Sequence, residues 1–194
     1  MDVERIKGIL LNPKQEWPVI AGETSTAAEL YTGYIVILAA IGPVASIIGM
    51  SLVGVNMPMV GSFRLPIGTA ITSALVNYVL TLAGVYVLAL IIDALAPTFG
   101  GEKNINQALK VATYSSIPGW LAGIFVIIPA LSVLGILGLY GLYLLFLGLP
   151  LLMKSPSEKA LGYTAAVIVA AIVIFAVIGM VSRSFITYPV PGMH

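Results

Sequence analysis

The sequence predicts an all-α integral membrane bundle of five transmembrane helices with a short N-terminal amphipathic interfacial helix. Three observations predict it. Hydrophobic residues make up 59% of the chain and charged residues 9%, with a mean hydropathy of +1.06. A soluble domain carries about 25% charged residues, so lipid must cover much of this surface. The apolar sequence divides into stretches near the ~20 residues that a helix needs to cross a bilayer. The nine Lys and Arg residues are spread unevenly over the intervening loops. The expected organisation is an N-terminal cytoplasmic or interfacial segment at 1–29, a membrane domain at 30–183 and a short Pro-rich tail at 184–194.

Residues 2–11 read as an amphipathic helix, with Val3, Ile6 and Leu10 on one face and Asp2, Glu4, Arg5 and Lys7 polar. Asn12-Pro13 ends it. Trp17-Pro18 follows, and Trp favours the membrane–water interface. The segment either lies on the membrane or packs against the polar ends of the spans. It lacks the basic-then-apolar pattern of a cleavable signal peptide.

Thr26 and Glu29 fit a capping box, and the first span runs from about 30 to 52. Pro43 is expected to kink it; Gly42, Ser46 and Gly49 leave a thin side for a neighbouring helix. Residues 53–66 form a loop with one charge, Arg64. The second span covers 67–95, with Asn77 and Tyr78 near its middle and Asp93 near its end. Gly100-Gly101 marks the central loop, and Asn104 with Gln107 suggests another N-cap. The 43 residues from Val111 to Met153 contain no charge, too long for one span and right for two. Pro129 places the turn, so the third span is 108–127, carrying Pro118, and the fourth is 131–152. Gly135, Gly138 and Gly141 in the fourth span signal close packing, with a substrate groove as the other use of such a stripe. Ser155-Pro156-Ser157-Glu158 has the ingredients of the strongest cap in the chain, and the fifth span follows at 160–181.

Five spans put the two ends on opposite sides. Arg5, Lys7, Lys14, Lys103, Lys110, Lys154 and Lys159 then share one side, against Arg64 and Arg183 on the other. By the positive-inside rule the N-terminus is cytoplasmic and the C-terminus outside, in a cell (inner) membrane.

Little in the chain supports catalysis. There is no Cys, and the only His is the last residue, so a catalytic triad, a thiolate zinc site and an iron–sulfur cluster have no ligands or base. No phosphate-binding Gly-rich motif occurs. No enzyme activity, cofactor, metal or nucleic-acid partner is expected. Asp93 is the one electrostatic puzzle. It falls near the C-terminus of a helix, where the dipole disfavours an anion, and near membrane depth, where a carboxylate has a partner or a function. Either it forms an interfacial ion pair with Lys110 or Lys103, or it belongs to a polar cluster for a cation or proton. The candidates for that cluster are Asp93, Asn77, Tyr78, Asn104, Lys110, Tyr114, Ser115 and Pro118. Pro118 would free a backbone carbonyl one turn earlier.

An acidic residue closing the second span (Asp93), then Ala96-Pro97 and Gly100-Gly101, then Asn104, Ala108 to Ala112, Tyr114, Ser115 and Pro118 form a series that resembles the prokaryotic branch of the Yip family, the Ypt/Rab-interacting membrane proteins. The stretch from Ile9 through Asn12-Pro13 to Trp17-Pro18 is similar to that branch, as are Gly138 to Tyr143 and Lys154 to Ala160. The order and spacing agree over essentially the whole chain. The resemblance implies a five-span domain with a cytoplasmic N-terminus, in contact with the bilayer and with other membrane proteins or further copies of itself. Eukaryotic members work with Rab-type GTPases through an N-terminal extension; about 29 residues precede the first span here, and a Rab-type GTPase partner is not expected. The expected function is therefore a membrane scaffold or interaction protein, and the alternative is a small transporter or channel with a site near Asp93.

Overall fold

The computed structural model describes residues 2–57 and 61–184. Of the expected tail at 184–194, Ser184 ends the last helix and residues 185–194 lie outside the described residues.

Two short helices come first, α1 (Val3–Leu11) and α2 (Pro13–Gly22). Asp2 caps α1 by accepting from the backbone N–H groups of Glu4 and Arg5, and Pro13 occupies the first turn of α2, where its missing N–H costs nothing. Together they form a hairpin that packs on the bundle, with Ile6, Ile9, Trp17 and Ile20 buried. This corrects the expectation of a single interfacial helix. Of the expected apolar face, Ile6 and Leu10 meet protein while Val3 stays exposed, so the segment is packed on the bundle.

The first span, α3 (Ala27–Val53), opens with the expected capping box between Thr26 and Glu29. It is not a regular helix. π-helical turns occupy Tyr31–Ile35 and Ile48–Val53, with a break at Ala40. Pro43 cannot donate to the Ala39 carbonyl, and the interruption falls where that bond would have been. The following loop contains a short antiparallel pair, β1 (Val55–Met57) with β2 (Gly61–Phe63), in the register Val55↔Phe63. The second span, α4, is α-helical over Ile67–Leu95 and continues as a 3-10 turn over Ala96–Phe99.

The central helix α5 (Ile105–Ala122) starts on the Asn104 cap, whose side-chain oxygen accepts from the Gln107 N–H at 3.1 Å. A 3-10 stretch extends it over Gly123–Ile127. Ile128, held extended ahead of Pro129, makes the turn. The next segment winds as a 3-10 helix over Pro129–Leu139 before α6 (Tyr140–Leu152). The last helix, α7 (Ala160–Ser184), follows a 3-10 turn.

Four helical segments, not five, are long and apolar enough to cross a membrane among the described residues: Ala27–Val53, Ile67–Phe99, Ala130–Leu152 and Ser157–Ser182. The segment that falls short is α5. It carries Gln107, Lys110, Thr113, Tyr114, Ser115 and Ser116, and every residue from Ala108 to Tyr114 is buried. α5 packs against α4, α6 and the 3-10 stretch before α6. A helix surrounded by protein needs no apolar surface, which is why its hydropathy is low. Outside it, Leu75, Val133, Leu161, Phe175 and Met180 are exposed, as lipid-facing side chains are.

Gly49, Gly138 and Gly141 serve close packing, as expected, whereas a Cβ at Gly42 or Gly135 would meet nothing within 4 Å. A Cβ added at Gly49 would run into the carbonyl oxygen of Val126, and one at Gly141 into that of Ser115. Added Cβ atoms at Gly123 and Gly138 would lie 3.0 Å and 3.1 Å from the Cα atoms of Gly42 and Gly119.

The Ser155 cap is not formed. The 3-10 turn Ser157–Lys159 has no side-chain cap, and Ser155 Oγ is buried without a hydrogen-bond partner. Tertiary contact takes precedence there. Glu102 N donates to the Met153 carbonyl at 2.8 Å, and a Cβ on Gly101 would lie 3.3 Å from Ser155 Cβ.

Candidate functional site

The eight residues of the expected polar cluster do not assemble. Lys110 and Tyr114 belong to a clamp under the N-terminal hairpin, Asp93 ends α4, Asn77 and Ser115 line a cavity between the spans, and Tyr78, Asn104 and Pro118 lie apart from all three.

Lys110 belongs to the clamp. It is 2% exposed, and its Nζ donates to the carbonyls of Ile20, at 2.9 Å, and Glu23. These carbonyls lie at the C-terminal end of α2, where backbone oxygens lack helical partners and the dipole is negative. Gln107 donates to the Ala21 carbonyl beside them at 2.9 Å. Arg5 forms ion pairs with both Glu16 and Glu23. Burial alone would lower its pKa, but the two carboxylates outweigh that and hold it above the ordinary arginine value. Trp17 is 1% exposed and seats over Gly148, where an added Cβ would lie 2.7 Å from its ring. Its ring meets Tyr114 edge-on at 6.2 Å, and Tyr34 meets Tyr114 at 5.3 Å. The expected ion pair between Asp93 and Lys110 is therefore replaced by a bond from Lys110 to backbone. Sequence reasoning missed Trp17 as an anchor, and Arg5, Tyr34 and Gly148 with it. A helix C-terminus after Gly22, with a cation in reach, was the available signal.

Asp93 lies at the end of α4 with Oδ1 buried and without a hydrogen-bond partner. Tyr163 donates its hydroxyl to the Ile92 carbonyl, next in sequence to Asp93, and stacks on Phe99 at 4.9 Å. The central loop is locked by other groups. Lys154 bonds Glu102 at 2.7 Å, and Gly100 adopts a φ of 74° that closes the turn. Asn104 is exposed and serves as the α5 cap. Tyr78 donates to the Val36 carbonyl at 2.8 Å, tying α4 to α3. Pro118 is buried and lines an apolar groove with Leu10, Phe125 and Tyr140.

Asn77 and Ser115 do share a site. They line a cavity of about 410 Å³ between α3, α4, α5, α6 and α7, with Thr81 and Ser116 as its other polar side chains. No charged residue lines it, and on α4 it ends at Leu88, more than a helical turn short of Asp93. Asn77 reaches Ser182 Oγ at 3.4 Å, and Ser116 donates to the Ala112 carbonyl at 2.7 Å. Ser115 Oγ is buried with no partner.

Among the described residues no three His, Cys, Asp or Glu side chains come together as a metal ion would need. Comparison with known proteins gives a match to the Yip1 domain family model over residues 7–178. The chain is 24% identical over 180 residues to the inner membrane protein YohC of two Escherichia coli strains, covering 91% of this chain and 92% of the relative. No solved structure matches it.

Proposed function

This chain belongs to the Yip1 domain family, and from that premise we propose that it is a non-catalytic inner-membrane scaffold that holds other membrane proteins beside it. The observation that carries this reading is the hairpin. Trp17 and Lys110 fix it to the bundle, while Val3, Leu11 and Val19 stay exposed beside Lys7 and Lys14. A rigid surface of mixed character at the membrane edge suits protein contacts. In this reading α5 crosses as a fifth, protein-enclosed span. The seven-to-two distribution of basic residues supports a cytoplasmic N-terminus, and the YohC relatives support the inner membrane.

Transport is the second reading, favoured by the unpartnered Asp93 Oδ1. Purified protein in liposomes, assayed for proton and cation flux, separates the two. The scaffold reading expects no flux above protein-free liposomes. Flux in the wild type that disappears in Asp93→Asn would replace it with a transporter whose site is Asp93.

A further inference from the structure

The hydrogen bonds of the N-terminal hairpin fix how far down the bundle it reaches. α5 and α6 lie side by side, with Gly141 against the Ser115 carbonyl and Gly138 against Gly119. Lys110, five residues into α5, donates to the carbonyls of Ile20 and Glu23. Tyr140, twelve residues before the end of α6, donates to the Leu10 carbonyl at 3.0 Å. Leu10 also borders the groove formed by Pro118 and Leu121. At 1.5 Å per residue, Lys110 lies about 8 Å and Pro118 about 20 Å from the start of α5. α2 therefore climbs along the spans from a deep tip at Pro13 to a shallow end at Gly22. Arg5 pairs with Glu16 and Glu23, so α1 descends beside it from Val3 to Leu11.

The hydrocarbon core of a bilayer is about 30 Å thick, so a tip that far below the start of α5 lies inside it and not at its surface. The side chain at the tip agrees. Leu11 is 75% exposed, more than any other large hydrophobic among the described residues. Water would penalise that area, whereas acyl chains would not. Lys14, next after Pro13, is exposed and has no carboxylate within ion-pair distance among the described residues. Its long stem lets the ammonium reach back along α2 towards the headgroups, as lysines near membrane depth do.

We propose that α1 and α2 form a re-entrant hairpin set into the cytoplasmic leaflet, its tip at Leu11–Pro13 in contact with lipid acyl chains. The proposal rests on the reading of α5 as a span. It gives Leu11 to lipid and leaves Val3, Lys7 and Val19, nearer the surface, for the protein contacts of the scaffold reading.

The test places the full chain in liposomes of phosphatidylethanolamine and phosphatidylglycerol. Four single variants, Val3→Cys, Leu11→Cys, Lys103→Cys and Leu142→Cys, each put a nitroxide at an exposed position of a chain without Cys, where the fold is least disturbed. Collisions with oxygen, which concentrates in hydrocarbon, and with a nickel chelate, which stays in water, give the depth of each label. The label at 103 is expected in water and the label at 142 in hydrocarbon. The label at 11 is expected near the depth of 142, below the label at 3 by about 12 Å, the rise of α1 between them. Equal depths at 3 and 11 would mean a hairpin lying flat on the surface and would overturn the proposal, as would a label at 11 that meets the nickel chelate as freely as the label at 103. A label at 142 found in water would overturn the span reading itself, and the proposal with it.

Discussion

Lys110 carries a positive charge into the interior with no carboxylate on its Nζ. The carbonyls of Ile20 and Glu23 take that place, so one side chain both satisfies the end of α2 and ties it to α5. Lys110→Met removes the charge but strands both carbonyls. The expected loss is about 2–4 kcal/mol, since hydrogen bonds to charged groups are worth about 1.5–3 kcal/mol each and a stranded acceptor adds its desolvation. Trp17→Ala empties the pocket over Gly148, and large-to-Ala changes at buried aromatics cost about 3–5 kcal/mol. Limited proteolysis within residues 1–23, at a temperature where the bundle survives, reads both effects. Cleavage rates equal to wild type would show that the hairpin is held by something else. Neither role was visible in the sequence. Trp17 fits an interface equally well, and only the glycine facing it decides for burial; Lys110 was paired with Asp93 because both are ionic, whereas the stronger acceptor was a helix end.

At the scale of elements, three Ser/Thr/Asn caps were expected and two formed. Asn104→Ala should lower stability by about 1 kcal/mol, the usual value of such a cap, measured as a shift of the thermal midpoint. Ser155→Ala should be neutral or stabilising, because Ser155 Oγ is buried without a partner and its loss removes an unmet demand. A drop equal to that of Asn104→Ala would mean that Ser155 caps after all. The contrast also marks what sequence can convey about an element. The ends of α4 matched at Ile67 and Leu95 because Pro66 and a long apolar run define them locally. The Ser155 turn was decided by its contacts with Gly101 and Glu102, which no local pattern reports. The start of α5 at Ile105 matched the expected Asn104 cap, while the span within it was drawn from 108 because the first turn is polar.

For the whole molecule, the absence of Cys makes topology directly measurable. Single variants Lys7→Cys, Arg64→Cys, Lys103→Cys, Ala130→Cys and Glu158→Cys can be labelled with a membrane-impermeant maleimide in intact cells. If α5 crosses, Arg64→Cys and Ala130→Cys react from outside and the other three only after lysis. Lys103→Cys and Ala130→Cys on the same side would mean that the chain has four spans. The membrane character and the Yip-type pattern were legible across the chain, because hydropathy and the order of Gly and Pro are local properties. The candidate cluster was not, because its members lie on different faces of α4 and α5 and at different depths, and helix rotation is set by neighbours.

The 3-10 winding of Pro129–Leu139 lengthens this span. Eleven residues are wound this way, each rising about 2.0 Å instead of the 1.5 Å of an α-helix, so the stretch holds about 5 Å of extra length. Rewinding it would shorten that span while turning Gly138 away from Gly119.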